Sequence, residues 1–434
     1  MTVRSSYDIM VHHDPQRLLL TLFRAMVEKA TPARLLPPCL PHPPRGRTLV
    51  VGAGKAAAAM AKAAEDNWTA PLSGLVVTRY GHGLPCRRVE VIEAGHPFPD
   101  SAGAGAAARM LDLVRGLSVH DLVFALFSGG GSALLTLPAP GLTIADLQDV
   151  NRQLLVSGAA IDDINCMRKH LSAITGGRLG VACSPAPVRT FLISDVPGDD
   201  PAVIASGPTV ADPTTFADAR AVAERHRLLL PDAVRRHLEE AADETPKPGD
   251  PRLAKGETVM LATPGEALEA AAARAQAAGL EPIVLGATLQ GEARALAAAH
   301  ADLIRTIRRR RGADGPPAVL LSGGETTVTV RGEGRGGRNT EYLLALGLAL
   351  ETAGGAAPGV FALAADTDGI DGTEANAGAF LRPDTLQLAA AGGLDPRLFL
   401  EANDSHGFFE KLGDLLTTGP TRTNVNDFRA VLLL

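Results

Sequence analysis

Four glycine-bearing segments, spread along this 434-residue chain, each join an apolar run to a charged or hydroxyl residue. They are Val50-Val51-Gly52-Ala53-Gly54-Lys55, Phe127-Ser128-Gly129-Gly130-Gly131-Ser132, Leu321-Ser322-Gly323-Gly324-Glu325-Thr326 and Gly336-Gly337-Arg338-Asn339-Thr340-Glu341. A wholly apolar run has no solvent face, so it belongs in a sheet covered on both sides. A strand that ends in glycine and feeds a helix presents unpaired N–H groups and a positive dipole end, which suit an anion. Several such turns at one cleft would make an enzyme that handles phosphate.

The alternation holds over most of the chain. Apolar runs at Thr48–Val51, Gly74–Thr78, Val89–Glu93, Leu122–Phe127 and Thr190–Ser194 are spaced by alanine-rich stretches such as Ala56–Glu65 and Ala102–Val114. That pattern predicts a parallel sheet with helices on both faces. A long helical region from Ile144 to Thr175 carries Ile161, Ile164, Met167, Leu171 and Ile174 on one face and stops at Gly176-Gly177. The stretch Asp243–Glu257 is rich in proline and charge and reads as a linker. Strands and helices then resume, at Val259–Ala262, Pro264–Ala278, Glu281–Leu285, Glu292–Arg311, Ala318–Leu321, Thr340–Leu350 and Val360–Ala364. Glu325–Val330 looks like part of a hairpin, which makes the second sheet mixed. The expected architecture is α/β, with one lobe over residues 1–242 and a smaller one over 258–434, the last segment a candidate to pack back on the first.

Composition narrows the partners. The net charge of −6, with 46% hydrophobic and 21% charged residues, gives no nucleic-acid or membrane surface. Arg308–Arg311 is a short basic run that a solvated helix end explains. Cys39, Cys86, Cys166 and Cys183 have neither disulfide nor metal spacing, which fits a reduced cytoplasmic chain. No apolar stretch reaches the 18 to 20 or so residues of a membrane span. Asp14-Pro15 reads instead as an N-cap and first helical residue, ahead of Leu18, Leu19, Leu22, Phe23 and Met26. Only seven of the 42 basic residues are lysines, so a lysine inside a glycine loop stands out.

Each segment has more than one reading. Gly52-Ala53-Gly54-Lys55-Ala56-Ala57 fits the dinucleotide fingerprint, with Arg79 after the next strand placed for a 2′-phosphate. Alternatively Lys55 is a phosphate-binding cation at a helix N-terminus, or the segment is a plain strand–helix turn. Three glycines between Ser128 and Ser132 cost entropy unless backbone must come close to something. Asp195, after a strand, is placed as a general base or a Mg²⁺ ligand, while Asp200 reads as a cap. Arg168 and Lys169 lie off the apolar face of their helix and could meet a carboxylate or phosphate. In Arg331–Glu341, Arg338 points at the positive end of the next helix, a poor place for a cation unless an anion sits there. Asp366, Asp368 and Asp371 gather after a strand, for metal or substrate contact or as an acidic turn.

Taken together, VVGAGKA, EAGHPFPD, FSGGGSALL, INCMRKHLS, ISDVPGDDPAVIASGPT, LSGGETTVTVRGEGRGGRNTE, ADTDGIDG and TNVNDF resemble the type II glycerate kinase, or MOFRL, family. The likeness runs from about Leu49 to Phe428. It implies a Rossmann-like N-terminal domain, a smaller α/β C-terminal domain, and an active site in the cleft between them. It also implies ATP- and Mg²⁺-dependent phosphorylation of D-glycerate at the 2-hydroxyl, giving 2-phosphoglycerate. By that likeness Lys55, Arg338 and Asp195 are catalytic. ATP lies on Gly52, Gly54, Ser128, Gly129, Gly130, Gly131, Ser132, Ser322, Gly323 and Gly324. Glycerate meets His96, Arg168 and Lys169, and Mg²⁺ meets Asp195, Asp366 and Asp368. A homodimer fits the expected behaviour. The runner-up is an NAD(P)H-dependent hydroxypyruvate reductase, and a third reading is a sensor of sugar acids or nucleotides.

Overall fold

The computed structural model describes residues 14–312, 315–351 and 359–434. They form two compact units, one of residues 31–261 and one that joins the chain up to Ala30 to residues 262–434. The opening helix α1 (Pro15–Lys29) therefore belongs to the C-terminal unit, not to the first lobe where sequence order puts it. Asp14 caps it by accepting from the Arg17 amide at 2.9 Å. Leu18, Leu19, Leu22, Phe23 and Met26 are buried, with Phe23 5.9 Å ring to ring from Phe428. Burial of about 2 kcal/mol per such side chain explains the docking.

The first unit is a six-stranded sheet of β1 (Thr48–Ala53), β2 (Leu72–Arg79), β3 (Val89–Ala94), β4 (Leu122–Ser128), β5 (Val188–Ile193) and β6 (Gly256–Ala262). Its order is β3-β2-β1-β4-β5-β6, and β1 to β5 are parallel. The α/β expectation holds, and the wholly apolar strands have the predicted cause. One face packs Leu49, Val51, Val77 and Phe127 against helices, while Phe124 on the other meets Trp68 and Phe191 edge to face. Because β6 closes this sheet, the proline-rich stretch at 243–257 is not the boundary between units.

The expected helix over 144–175 is broken. It forms α2 (Ile144–Val156) and α3 (Ile161–His170), separated where Gly158 turns left-handed at φ 70°. Thr143 and Asp146 build a capping box on α2.

The second unit holds β7 (Glu281–Glu292), α4 (Ala293–Arg311), β8 (Ala318–Thr327), α5 (Arg338–Glu351), β9 (Val360–Asp366), β10 (Gly378–Leu381), β11 (Leu415–Leu416) and β12 (Asp427–Leu433). The sheet runs β11-β10-β9-β12-β8-β7; β7 and β8 are parallel and the other neighbours antiparallel, so it is mixed as expected. The last strand does not return to the first lobe: β12 lies at the centre of this sheet. The hairpin expected near Glu325–Val330 is absent from the described residues, because β8 runs unbroken to Thr327.

Inside this unit His300 on α4 has Nδ1 2.7 Å from the Tyr342 hydroxyl, and Arg429 lies 5.4 Å over the Tyr342 ring. Burial, helped by the Arg429 charge, pulls the His300 pKa down to about 4. An unfolded histidine takes its proton near pH 6.5. Below that pH the unfolded chain binds the proton first, so stability falls between pH 6.5 and 4. By pH 5 the loss amounts to about 2 kcal/mol. The expected outcome for His300→Gln is a smaller drop in urea midpoint between pH 7 and pH 5, monitored on the second unit.

Candidate active site

In the first sheet the strand order reverses between β1 and β4, the position where open α/β sheets leave a crevice at their carboxyl ends. Two hydrogen bonds join the turns there. The Lys55 amide donates to the Gly129 carbonyl at 2.9 Å, and the Ala56 amide to the Ser128 hydroxyl at 3.0 Å. Gly130 is left-handed at φ 79°, and a β-carbon on it would lie 3.0 Å from the His96 ring and 3.4 Å from Lys55 Cγ. So Lys55, His96 and the Gly129–Gly131 turn meet at one point. Gly52 differs: it sits inside β1, where a β-carbon would be 2.2 Å from the Leu126 carbonyl oxygen. Its role is close strand pairing.

Asp195 lies half-buried just past the end of β5. Asp200 accepts from the Ala202 amide at 2.8 Å, the expected cap. The loop that follows, up to Ser206, adds contacts to the glycine turn. Ala205 and Ser206 take positive φ of 52° and 58°, an arrangement that non-glycine residues adopt only under constraint. The Ser206 hydroxyl lies 2.9 Å from Ser132 Oγ and donates to Asn165 Oδ1 at 2.9 Å.

Arg168 and Lys169 part company. Lys169 is buried against Asp212, Nζ to Oδ1 3.3 Å, with Thr245 on the other carboxylate oxygen. Burial alone would raise the Asp212 carboxyl, but Lys169 and Thr214 outweigh it and hold it low. Lys169 is therefore a structural cation rather than a substrate contact, since freeing it would strand a buried carboxylate. Arg168 instead lines a cavity of about 470 Å³ in this unit and donates to Asn151 Oδ1 from Nε at 3.1 Å and Nη2 at 2.6 Å. Burial pulls its pKa down to about 10, which leaves it charged at neutral pH.

In the second unit the arginine-rich loop resolves differently from expectation. Arg338 begins α5 and is gripped by three carboxylates: Asp427 from Nε at 2.8 Å, Glu325 from Nη1 at 2.6 Å and Asp366 from Nη2 at 2.9 Å. Burial opposes its charge, but Asp427, Glu325 and Asp366 outweigh that and raise its pKa well above the usual value. The anion at the helix N-terminus is Asp371, which accepts from the Asn339 and Thr340 amides, both at 2.9 Å, and from the Thr340 hydroxyl at 2.8 Å. Its pKa is raised because it is fully buried, an effect these hydrogen bonds offset only in part. The protein's own carboxylates thus satisfy the charge argument that pointed to phosphate. Asp427 and Glu325 lie in quoted segments and were legible in principle; the antiparallel pairing of β12 with β8 and β9 brings them in.

Ser322-Gly323-Gly324 is not a turn. All three lie inside β8, and a β-carbon on Gly324, at φ 108°, would be 2.2 Å from the Leu289 carbonyl oxygen across a bulge in β7. These glycines admit neighbouring backbone, so the expected ATP contact there is withdrawn. Asp368 folds into its own loop, accepting from the Ile370 amide at 2.8 Å while its amide donates to Asp366 at 3.0 Å. Among the described residues no three His, Cys, Asp or Glu side chains form a metal-holding group. Magnesium does not require one, since it keeps waters and is held by one or two carboxylates plus substrate phosphates. Asp366, beside Asp427, offers carboxylate oxygens that fit that limited demand.

Two family models match the chain: DUF4147, a domain of unknown function, over residues 18–239, and the MOFRL family over residues 318–427. The D-glycerate 2-kinase of Thermotoga maritima is 38% identical over 95% of this chain and 98% of its own. The crystal structure of the glycerate kinase from that organism superposes with a TM-score of 0.83 at 37% identity, covering 96% of this chain and 99% of that one. The glycerate 2-kinase of Pyrococcus horikoshii is 39% identical over 88% of this chain and 86% of its own. An Agrobacterium vitis protein, provisionally named a hydroxypyruvate reductase, is 51% identical over 96% of this chain and 94% of its own. By its full-length likeness to glycerate kinases, the chain is by class a phosphotransferase with an alcohol acceptor. It belongs to the type II glycerate kinase family, the group that carries the MOFRL segment.

The meeting at Gly130 gives a test of the local geometry. Gly130→Ala needs both a left-handed alanine and a shift of His96 or Lys55, so kcat is expected to fall at least about tenfold. Circular dichroism and melting temperature should stay near wild type, because the turn lies at the rim of the sheet.

Proposed function

We propose that this protein is a glycerate 2-kinase that transfers the γ-phosphoryl group of ATP, with Mg²⁺, to the 2-hydroxyl of D-glycerate. The observation that carries the reading is the convergence of Lys55, His96 and the Gly129–Gly131 turn at the switch point. The full-length likeness to glycerate kinases supplies the substrate class. Phosphoryl transfer needs position and charge neutralisation more than covalent help from the protein.

In this reading the backbone and hydroxyls from Ser128 to Ser132 hold the phosphates, with Gly54 keeping the adjoining turn close. Lys55 balances charge on the transferred group. His96 orients the acid, and Asp195 takes the proton from the 2-hydroxyl as its oxygen bonds to phosphorus and the bond to the ADP oxygen breaks. Mg²⁺ would neutralise phosphate charge; the carboxylates that could hold it are Asp195 in the first unit and, taken separately, Asp366 and Asp368 in the second. Arg338 donates three N–H groups to carboxylates, which leaves two for an anion. It also fixes Asp366.

Lys55 and Arg338 should fail in different ways. Lys55→Ala is expected to lower kcat by roughly 10² or more with little change in melting temperature. Arg338→Ala should lower kcat as much and also destabilise the second unit by about 3–5 kcal/mol, because it strands a buried carboxylate cluster. Steady-state kinetics with urea titration reads both; wild-type turnover in the two variants would sink the assignment.

The Agrobacterium vitis relatives and the Gly52–Ala57 pattern keep one competing reading alive, reduction of hydroxypyruvate by NAD(P)H with Arg79 on the 2′-phosphate. The kinase reading expects ADP release that depends on D-glycerate and Mg²⁺, and no loss of NADPH absorbance with hydroxypyruvate. Coupled assays on one preparation decide it.

A further inference from the structure

The cavity beside Arg168 is poorly matched to glycerate. About 470 Å³ is several times the volume of a three-carbon acid, and most of its wall is apolar: Leu135, Leu137, Leu147, Val150, Leu154 and Met167. A small polyhydroxy acid gains little from such a wall, whereas a purine ring and ribose need one of that size.

The polar groups in the cavity are few and specifically placed. Ser132 belongs both to the glycine turn and to the cavity wall, so a ligand with phosphates on the turn has its next atoms at the cavity mouth. Gln148 and Asn151 stand three residues apart on α2, on one helix face. Gln148 donates from Nε2 to the Pro99 carbonyl at 2.9 Å, which orients its Oε1 as an acceptor. Asn151 accepts from Arg168 through Oδ1, which orients its Nδ2 as a donor. One acceptor and one donor side by side complement the N6 amino group of adenine and the ring nitrogen next to it. In the cavity wall the Thr175 hydroxyl is 3% exposed and has no hydrogen-bond partner among the described residues, a costly state unless a ligand relieves it. Phe98, 74% exposed at the rim, offers an aromatic face where a base enters.

From this arrangement we infer that the cavity between α2, α3 and the Ser132 turn is the nucleoside subsite of the phosphate donor, with adenine against Gln148 and Asn151 and a ribose hydroxyl on Thr175. The assignment rests on the kinase reading above. It moves Arg168 from the acid to the nucleotide, where it holds Asn151 in orientation.

Calorimetric titration of the full chain with MgADP and with magnesium tripolyphosphate separates cavity from phosphate cradle. Ala133→Trp fills the cavity and should raise the ADP dissociation constant at least tenfold while leaving that of tripolyphosphate within about twofold. Gln148→Leu, on a half-buried helix position that should fold normally, should raise KM for ATP three- to tenfold with kcat and KM for D-glycerate unchanged. Unaltered ADP binding in Ala133→Trp, or a rise in KM for D-glycerate alone, would overturn the subsite. If wild-type protein turns over ATP and glycerate yet shows either result, the cavity assignment fails and the kinase reading stands. If wild type neither binds nucleotide nor phosphorylates glycerate, the kinase reading itself fails.

Discussion

Two hydrogen bonds govern the crevice edge of the first unit: the Lys55 amide to the Gly129 carbonyl, and the Ala56 amide to the Ser128 hydroxyl. They tie the turn after β1 to the turn after β4 across the place where the sheet changes direction. Everything at that edge follows from how near the two turns must come. A β-carbon at Gly54 would lie 2.2 Å from Ser128 Oγ, and one at Gly131 2.6 Å from Ala205 Cβ. The glycines are there because neighbours occupy the space. Lys55 is thus positioned by its own backbone, and its side chain enters the site with its base already fixed. That pre-organisation is what a charge-balancing group needs, since reorienting a cation during transfer would forfeit most of its benefit.

The second unit solves a different electrostatic problem. Arg338 and Arg429 are largely buried, and each would be costly alone. Asp427 bridges them, one oxygen 2.8 Å from Arg338 and the other 2.5 Å from Arg429, while Glu325 and Asp366 add two more charges. Two guanidinium groups against three carboxylates leave the cluster one negative charge in excess. The attraction across each of these close pairs offsets the cost of taking the charges out of water. The same network therefore ties β8, β12 and β9 to the start of α5.

The sequence was most legible where one local cause acts alone. Apolar runs became strands because nothing but two-sided burial suits them, and Asp14-Pro15 capped α1 because an N-cap needs only its own next residues. It was least legible where a distant partner decides. Gly323 and Gly324 share composition with the Gly129–Gly131 turn, yet one pair admits β7 and β12 to a strand and the other ends one. Lys169 and Arg168 are adjacent with the same charge, but a helix turns one toward Asp212, 43 residues on, and the other into the cavity. The place of α1 could not be read at all from order along the chain, since its apolar face fits any sheet and Phe428 lies some four hundred residues away. Thr175 shows the same limit: its missing partner is visible only once a cavity wall exists.

The charge at the first turn bears on which chemistry this edge suits. In a dinucleotide-binding fold the first glycine forms the tight turn and the helix N-terminus alone faces the pyrophosphate. Here Gly52 is still inside the strand, and a full positive charge at Lys55 is added to the roughly half charge of the helix end. A pyrophosphate diester carries about two negative charges, whereas a nucleoside triphosphate carries about four and gathers them on its terminal groups. The denser anion gains more from a lysine placed in a buried turn, because Coulomb attraction grows with charge while the cost of burying the ammonium is met once. That asymmetry favours phosphoryl transfer over hydride transfer at this position, independently of what any relative is named.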